Sequence, residues 1–146
     1  MSSSLKVLHP LFVLLLPLCG LLIHGQNLSW KDFMKQHYLR PTQEFGQYKC
    51  NVLMREIEAL RGKNTHTFIY TLWHHIDRIC FKSWKERYSN VYIWARSPIK
   101  VLKCFRENFK NSYKERRSYS YVEFHCSMNG YVDSIEDIQL LEVISV

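Results

Sequence analysis

Three side chains of types that take part in phosphodiester cleavage follow one another along the first half of the sequence. His37 offers an imidazole that can act as a general base, and Lys63 offers a cation that can stabilise a developing oxyanion. Thr67 offers a hydroxyl of the kind found beside a base-binding pocket, and Gln36 stands directly before the histidine. The set suits chemistry at a phosphate ester, provided that the fold brings these side chains together.

Two helices are predicted first among the elements that must position these residues. A semi-apolar face at Trp30, Phe33 and His37 predicts a helix that opens at Ser29 and ends near residue 38, and Pro41 prevents its continuation. A second helix is predicted over about residues 47–60, followed by a glycine stop at position 62. Its inward-facing side chains are predicted to be Val52, Leu53, Ile57 and Leu60.

From residue 65 onwards the apolar pattern has a period of two, which predicts strands. We expect a strand over residues 65–72, a short helix over about 73–79, and a turn at Asn129-Gly130. Because the helices come first and the strands follow, the sequence predicts an α+β domain. The other predicted strands cover residues 91–95, 99–107 and 118–126 and a last segment from Tyr131.

The first 25 residues have the features of a cleaved secretory signal peptide. Residues 11–23 are almost wholly apolar, Lys6 precedes them, and the small residue Gly25 precedes a suitable cleavage point. An apolar run of roughly 13 residues is too short to cross a bilayer, so an uncleaved anchor is the weaker alternative and no transmembrane segment is expected. The mature chain, residues 26–146, is expected to form one secreted domain, with Asn27 in its single glycosylation sequon.

Cleavage of the leader removes Cys19 and leaves four cysteines. An even number in a secreted chain predicts two disulfides, for which the sequence alone permits three pairings. The spacings of 30, 24 and 22 residues include no Cys-x-x-Cys pair, so no zinc site is expected. The four cysteines are Cys50, Cys80, Cys104 and Cys126.

The charge balance favours anionic partners. The whole sequence has a formal net charge of +7, which becomes about +6 when the leader with Lys6 is removed. Nucleic acid, acidic glycans and lipid headgroups all fit this charge, and solubility alone is the alternative explanation. His74 and His75 diverge by about 100° on a helix, so we interpret them as a surface pair, and no metal or other cofactor is expected.

Basic and aromatic residues alternate between positions 110 and 121. They predict either a basic aromatic patch for polyanions or a solvated loop and strand edge. The four tryptophans of the mature chain, Trp30, Trp73, Trp84 and Trp94, are interpreted as packing residues rather than as a ligand cage. The alternating set consists of Lys110, Lys114, Arg116, Arg117, Tyr113, Tyr119 and Tyr121.

The order of these motifs resembles the pancreatic-type ribonuclease superfamily over nearly all of residues 30–140. The resemblance rests on Phe-x-x-Gln-His at 33–37, Cys50-Asn51, Lys63 with Thr67-Phe68, and the three later cysteines. The longer stretches 33–39, 50–56 and 130–137 resemble the epididymal secretory branch of the E-three type. The resemblance implies a ribonuclease A-like fold, with N-terminal helices packed on a curved antiparallel sheet, and the disulfides Cys50–Cys104 and Cys80–Cys126.

The resemblance also implies roles for the chemical residues. His37 would take the 2′-hydroxyl proton, Lys63 would stabilise the charged phosphorus centre, Thr67 would face a pyrimidine, and Gln36 would help to place the phosphate. The family's proton donor is expected nine residues after the last cysteine, where this sequence has Ile135. Because isoleucine cannot donate a proton, and a general acid contributes about 10²–10⁴-fold, we interpret the four residues as a vestigial site with no catalytic residue expected.

No neighbouring side chain is a convincing replacement for the missing acid. His125 is expected to face away from the side to which Cys126 points, since neighbours on a strand alternate. Asp133, Glu136 and Asp137 are near the vacant position, but exposed carboxylates are ionised at neutral pH.

The sequence therefore leads to one hypothesis and two rivals. The first is a secreted, monomeric, catalytically incomplete protein that acts in sperm maturation by binding an anionic molecule on sperm or in luminal fluid, with weak binding of nucleic acid. The tissue and the role come from the resemblance alone. The rivals are a weak residual ribonuclease and a basic host-defence protein that acts on anionic membranes.

Overall fold

The computed structural model of the chain describes residues 30–81, 91–108 and 111–145. Several predictions therefore concern residues outside the described ranges. They are the signal peptide at 1–25, the sequon at Asn27, the helix start at Ser29, and the side chains of Trp84 and Lys110.

Within the described ranges, three helices come early and six strands form one sheet. Helix α1 covers residues 30–37, α2 covers Cys50–Glu56 and α3 covers Trp73–Phe81. Single turns of 3-10 helix, Phe45–Gln47 and Glu58–Leu60, stand before and after α2. The strands are β1 (Tyr38–Leu39), β2 (Thr65–Tyr70), β3 (Val91–Trp94), β4 (Ile99–Arg106), β5 (Tyr113–Cys126) and β6 (Val132–Val143).

The sheet order is β1-β2-β4-β5-β3, and β6 pairs with the other edge of β5. All pairs are antiparallel except β1 with β2, where Tyr38 lies opposite Ile69 and Leu39 opposite Tyr70. The predicted α+β class is confirmed, but the sheet is mixed rather than wholly antiparallel. The two residues of β1 directly follow α1, so this short pairing attaches the first helix to the edge of β2.

Helix α2 is shorter than predicted and turns a different face inward. The prediction placed a helix over 47–60, whereas the backbone is already extended at the residues on both sides of 50–56. Cys50 and Met54, one helical turn apart, are buried, and Val52 is 39% exposed. The face that packs on the sheet is therefore set by Cys50 and Met54, and the inward orientation predicted for Val52 is wrong.

The other elements agree with the sequence within a few residues, with one exception. Strand β5 begins at Tyr113, five residues before its predicted start at Ser118. The predicted turn at Asn129-Gly130 is present: Gly130 has a φ of 86° and its N–H donates to the carbonyl of Ser127 at 3.0 Å. Such a positive φ favours glycine, which explains the strength of that turn signal.

Two apolar clusters fill the space between helices and sheet. Phe68 and Ile69 are adjacent on β2, and because strand neighbours point to opposite faces, they enter different clusters. The α1 cluster contains Phe33, Ile69, Ile76, Cys80, Val101, Val122, Phe124, Cys126 and Val132 among its buried members. The α2 cluster contains Leu39, Phe45, Cys50, Met54, Leu60, Phe68, Leu102 and Cys104.

One disulfide lies in each cluster. Cys50 is bonded to Cys104, which ties α2 to β4, and Cys80 is bonded to Cys126, which ties α3 to the end of β5. These are the two pairs that the family resemblance implies. All four of these cysteines are at most 2% exposed.

An ionic network fixes the start of α2 against β5. The Glu115 carboxylate accepts the N–H of Cys50 at 2.6 Å through one oxygen and pairs with the guanidinium of Arg117 at 3.0 Å through the other. Arg117, which is 7% exposed, also donates to the carbonyl of Tyr48. A carboxylate thus satisfies an orphan N–H in the first turn of α2, where the helix dipole favours negative charge.

In the described part of the chain, strand β6 pairs only with β5, so it forms an outer edge of the sheet, and it is 12 residues long. Of the residues with a described structure, none belongs to a helix long and apolar enough to cross a membrane.

Candidate functional site

His37 is the last residue of α1, and its position against β2 is defined by two contacts. Its Nδ1 donates to the carbonyl of Thr67 at 2.8 Å, and its ring stacks on Phe33 with centroids 5.0 Å apart. Because a carbonyl only accepts, the proton of the neutral ring must be on Nδ1. The lone pair is then on Nε2, and this is the tautomer that a general base requires.

A second histidine, His66, lies against the first and was given no role by the sequence. Its ring stacks on His37 with centroids 4.5 Å apart and an interplanar angle of 21°. Its Nε2 donates to the carbonyl of Gln36 at 2.5 Å, and the residue is only 6% exposed. The available signal was the alternation on β2, which places His66 on the same buried face as Phe68.

Both imidazoles are held in the neutral state. Burial is the main cause that lowers the pKa of His37, the bond to Thr67 opposes it, and the charge of Lys63 adds to it. Burial likewise lowers the pKa of His66 to about 4, with further contributions from His37 and Lys63. At neutral pH, His37 can accept a proton, but His66 has none to give beyond the one already donated to Gln36.

Lys63 lies near both rings, on the turn that follows the 3-10 helix. Gly62 has a φ of 82°, which allows the chain to reverse there, and the Lys63 N–H donates to the carbonyl of Leu60 at 3.1 Å. The Lys63 carbonyl accepts the Tyr113 hydroxyl at 2.6 Å. The backbone of the lysine is therefore fixed, while its exposed side chain supplies positive charge at His37 and His66.

Thr67 is half-buried, and cationic side chains lie at the corresponding positions of the next two strands. It lies opposite Lys103 on β4, and Lys103 in turn lies opposite Arg116 on β5. The Lys103 Nζ is 5.4 Å and the Arg116 Cζ is 5.5 Å from the centroid of Phe105. The surface beside Thr67 is thus positively charged, which suits an anionic group.

Ile135 is on β6, opposite Phe124 of β5. It is half-buried and packs against the α1 cluster, which includes the Phe33 ring on which His37 stacks. The Ile135 side chain therefore borders the same cluster as the imidazole base. It contributes hydrocarbon contacts there and no titratable atom.

The neighbouring groups that might have replaced the acid have other partners. His125 is between the buried residues Phe124 and Cys126 on β5, so its side chain is on the opposite face, as alternation predicts. Its Nδ1 is 2.5 Å from the Asp133 carboxylate, and its ring is 5.0 Å from that of Tyr92. Glu136 accepts the Ser134 hydroxyl, and Asp137 accepts the N–H of Ile138.

Of the two interpretations of the alternating basic and aromatic residues, the described part of β5 fits a solvated strand edge better than a patch. Residues 113–121 lie on β5, where alternation separates Lys114 and Arg116 from Tyr113, Tyr119 and Tyr121. Arg117 shares the tyrosine face but is buried in its pair with Glu115. A patch would require both residue types on one surface, whereas the described residues of β5 place them on opposite faces.

The remaining aromatic and histidine predictions concern packing at the surface. Trp30 packs edge-on against Trp73, with centroids 4.9 Å apart, and Trp73 and Trp94 are 43% and 40% exposed. These tryptophans are edge residues and not core residues. His74 and His75 are exposed with rings 4.5 Å apart, and the described ranges contain no group of three potential metal ligands.

Comparison with known proteins gives one family and two similar full-length sequences. The sequence model of the family described as pancreatic ribonuclease matches residues 28–137. The human epididymal secretory protein E3-beta is 56% identical over 145 residues, covering 99% of each chain. The human epididymal secretory protein E3-alpha is 51% identical over 146 residues, again covering 99% of each chain.

Solved structures with a similar fold include cytotoxic ribonucleases of frogs. Amphinase from Rana pipiens oocytes superposes with a TM-score of 0.62 at 17% identity, covering 77% of this chain and 99% of that chain. A cytotoxic ribonuclease from Rana catesbeiana superposes with a TM-score of 0.61 at 21% identity, covering 75% and 94%. At these identities the likeness concerns the fold alone, and it confirms the ribonuclease A-like arrangement expected from the sequence.

Proposed function

The chain belongs to the pancreatic ribonuclease family, and we propose that it is a secreted epididymal protein whose ribonuclease-like site lacks its proton donor. The observation that supports the proposal is the apolar side chain of Ile135 packed against the α1 cluster, at the residue where the family resemblance leads us to expect that donor. Secretion and the epididymal setting are supported by the names of the two human relatives.

The residues that would activate the nucleophile in the first half of the reaction are present. With the proton of His37 on Nδ1, the Nε2 lone pair can take a proton from a 2′-hydroxyl, and Lys63 adds positive charge beside it. The cationic surface formed by Lys103 and Arg116 next to Thr67 would attract a phosphate to the same place. Binding of an anion therefore does not require the missing acid.

The half of the reaction that protonates the leaving oxygen has no group to perform it. Loss of a general acid typically lowers a rate by about 10²–10⁴-fold, which corresponds to about 3–5 kcal/mol of barrier. His66 is adjacent to the base but has a pKa of about 4, so it is deprotonated at neutral pH. His125 is held by Asp133 on the other face of β5.

These features support a binding role in place of catalysis. We assign to the protein the binding of an anionic molecule on sperm or in luminal fluid, with sperm maturation as its biological context. The net charge of the sequence, +7, supplies the general attraction.

The test is RNA cleavage by the purified protein at high enzyme concentration, measured beside His37→Ala. The proposal expects no turnover above that of the variant. Turnover that is abolished by the substitution would refute the inactive interpretation.

The geometry of His37 favours a residual ribonuclease as the second candidate, because its tautomer is the one that a base needs. Such an enzyme would use a base without an acid. Its rate would rise with pH through the pKa of His37 and then stay level, whereas an enzyme with both groups gives a bell-shaped profile.

A further inference from the structure

Three arginines line an open pocket at the end of the sheet away from the disulfide of α3. The pocket has a volume of about 460 Å³ and lies between the C-terminal end of α2 and the connection from β4 to β5. This volume is within the range of small-ligand sites. Among the described residues, those that line it include no Asp or Glu. Its polar lining consists of Asn51, Arg55, Arg61, Arg106, Asn111 and Ser112, and we call it the arginine pocket.

Bonds hold two of these arginines in place, and the bond made by Arg61 leaves donors for a ligand. The Nε of Arg61 donates to the carbonyl of Arg55 at 3.0 Å, so its two terminal nitrogens are not used by that bond. A terminal nitrogen of Arg106 donates to the Oδ1 of Asn111 at 3.3 Å. Arg55 is in the last turn of α2, where the helix dipole favours a cation.

Two of these charges are not neutralised within the described part of the chain. The ion pairs found there join Arg117 to Glu115 and His125 to Asp133, so neither Arg55 nor Arg61 has a carboxylate partner. Like charges gathered in one pocket repel one another, and an anionic ligand would remove that repulsion.

The amide side chains of the pocket add further donors. The Oδ1 of Asn51 already accepts the N–H of Tyr113 at 2.7 Å, and the Oδ1 of Asn111 accepts from Arg106. Each amide therefore has its NH₂ group left to donate. The pocket is rich in donors and poor in acceptors, a composition that fits a group with oxygen acceptors only. Guanidinium forks bind such tetrahedral oxyanions through two parallel bonds.

The aromatic content of the pocket argues against single-stranded RNA as the ligand. RNA-binding surfaces of this kind stack successive bases on open aromatic faces. Among the described residues of the lining, the aromatic one is Tyr113, which is half-buried and has its hydroxyl bonded to the Lys63 carbonyl. A sulfated sugar needs no stacking surface, and its hydroxyls can also bond to Ser112 and to the amides.

We propose that the arginine pocket binds a sulfate group of a sulfated glycan. The inference rests on the proposed function in that the glycan would be the anionic partner, but it does not depend on the absence of catalysis.

The test measures binding of a heparin-derived hexasaccharide to the full-length secreted protein by calorimetry at about 0.15 M salt. Each single change Arg55→Gln, Arg61→Gln or Arg106→Gln should weaken binding about tenfold, because a charged hydrogen bond is lost. A triple variant that combines these three changes has a matched control, which removes the same charge at three exposed arginines of other surfaces and should change affinity much less. The control triple variant is Arg40→Gln, Arg78→Gln and Arg96→Gln.

A second variant keeps the positive charge and removes only the planar guanidinium group, which can form two parallel hydrogen bonds. Arg55→Lys with Arg61→Lys should bind the hexasaccharide several-fold more weakly than the original chain, since an ammonium cannot form the bidentate contact. Near-ultraviolet circular dichroism on every variant establishes that the fold is retained.

Each result has a distinct meaning. Equal loss of affinity in the pocket and control triple variants would overturn the pocket and leave only general charge attraction. Undiminished binding of desulfated hexasaccharide, or tighter binding of an RNA hexamer that depends on the same arginines, would overturn the sulfated glycan as ligand. If the original chain bound neither polyanion, the anionic partner of the proposed function would fail together with the pocket.

Discussion

The rings of His37 and His66 stack 4.5 Å apart. Each ring also donates a hydrogen bond to a backbone carbonyl of the helix or strand on which the other ring is located. His37 at the end of α1 bonds to Thr67 of β2, and His66 of β2 bonds to Gln36 of α1. Two reciprocal bonds and one stacking contact thus fasten the first helix to the sheet. Burial and the closeness of the two rings disfavour their protonated forms, which gives the pair a dependence on pH.

We expect the free energy of unfolding to fall as the pH falls from 6.5 towards 4. The pKa of His66 is about 4 in the folded protein and near 6.5 when unfolded, so over this interval the unfolded state binds the additional proton. The contribution of His66 is present above pH 6.5 and amounts to about 3 kcal/mol. Urea denaturation at a series of pH values measures this loss.

The matched variants for this pH effect are His66→Gln and His75→Gln. Glutamine does not titrate, so the first variant should have a flatter profile between pH 4 and 6.5, whereas the exposed His75 should leave the profile unchanged. An identical slope in the His66 variant would show that other groups cause the acid sensitivity.

We expect Ile135→His to create or strongly increase RNA cleavage, because the new imidazole would supply the missing acid. The rise should be about 10²–10⁴-fold over the original chain and should disappear when His37→Ala is added. Cleavage of a dinucleotide substrate measures it. Ile138→His is the control, since Ile138 is also half-buried on β6 and packs against the same cluster. A silent Ile135→His protein would mean that residue 135 does not face the leaving group.

We expect Glu115→Gln to destabilise the fold by about 2–3 kcal/mol, because charged hydrogen bonds to Cys50 and Arg117 are weakened together. Arg117 is buried and would lose its counter-ion. The midpoint of urea denaturation measures the change. Glu142→Gln, at an exposed position of β6, should have almost no effect, and equal effects of the two changes would contradict the network.

We expect removal of the Cys50–Cys104 disulfide, by Cys50→Ala with Cys104→Ala, to lower the free energy of unfolding by about 4 kcal/mol. The bridge closes a sequence separation of 54 residues, which restricts the unfolded chain strongly. Removal of the Cys80–Cys126 disulfide, with a separation of 46, should cost nearly as much. A loss below about 1 kcal/mol in either case would contradict this expectation.

The elements that depend on local pattern were predictable from the sequence. Period-two alternation located β2, and β-branched and aromatic residues located β4 and most of β5. The Asn129-Gly130 pair located the turn before β6. The extent of α2 was not predictable in this way. Its apolar residues also continue beyond residue 56, but the backbone leaves the helical region there, and the bond from Cys50 to Cys104 decides which face points inward.

The site was predictable only as far as its residues match a known motif. His37, Lys63 and Thr67 were identified by type and order, and the structure brings them together. His66 was missed because its burial arises from α1 packing on a strand that is 30 residues away along the chain. The arginine pocket was missed for a similar reason, since only tertiary packing brings Arg55 and Arg106 to the same pocket.

The outer edge of β6 has a consequence for aggregation. An unpaired strand edge can template pairing with another molecule, and this one is long. Four of its residues, Asp133, Glu136, Asp137 and Glu142, are acidic, although the protein as a whole is basic. Two copies approaching edge to edge would bring these carboxylates together, and Glu142 stands in the sequence between Leu141 and Val143, whose side chains are exposed. The acidic residues of β6 therefore oppose the addition of a strand from another molecule at this open edge, which is the step that would lead towards fibrils.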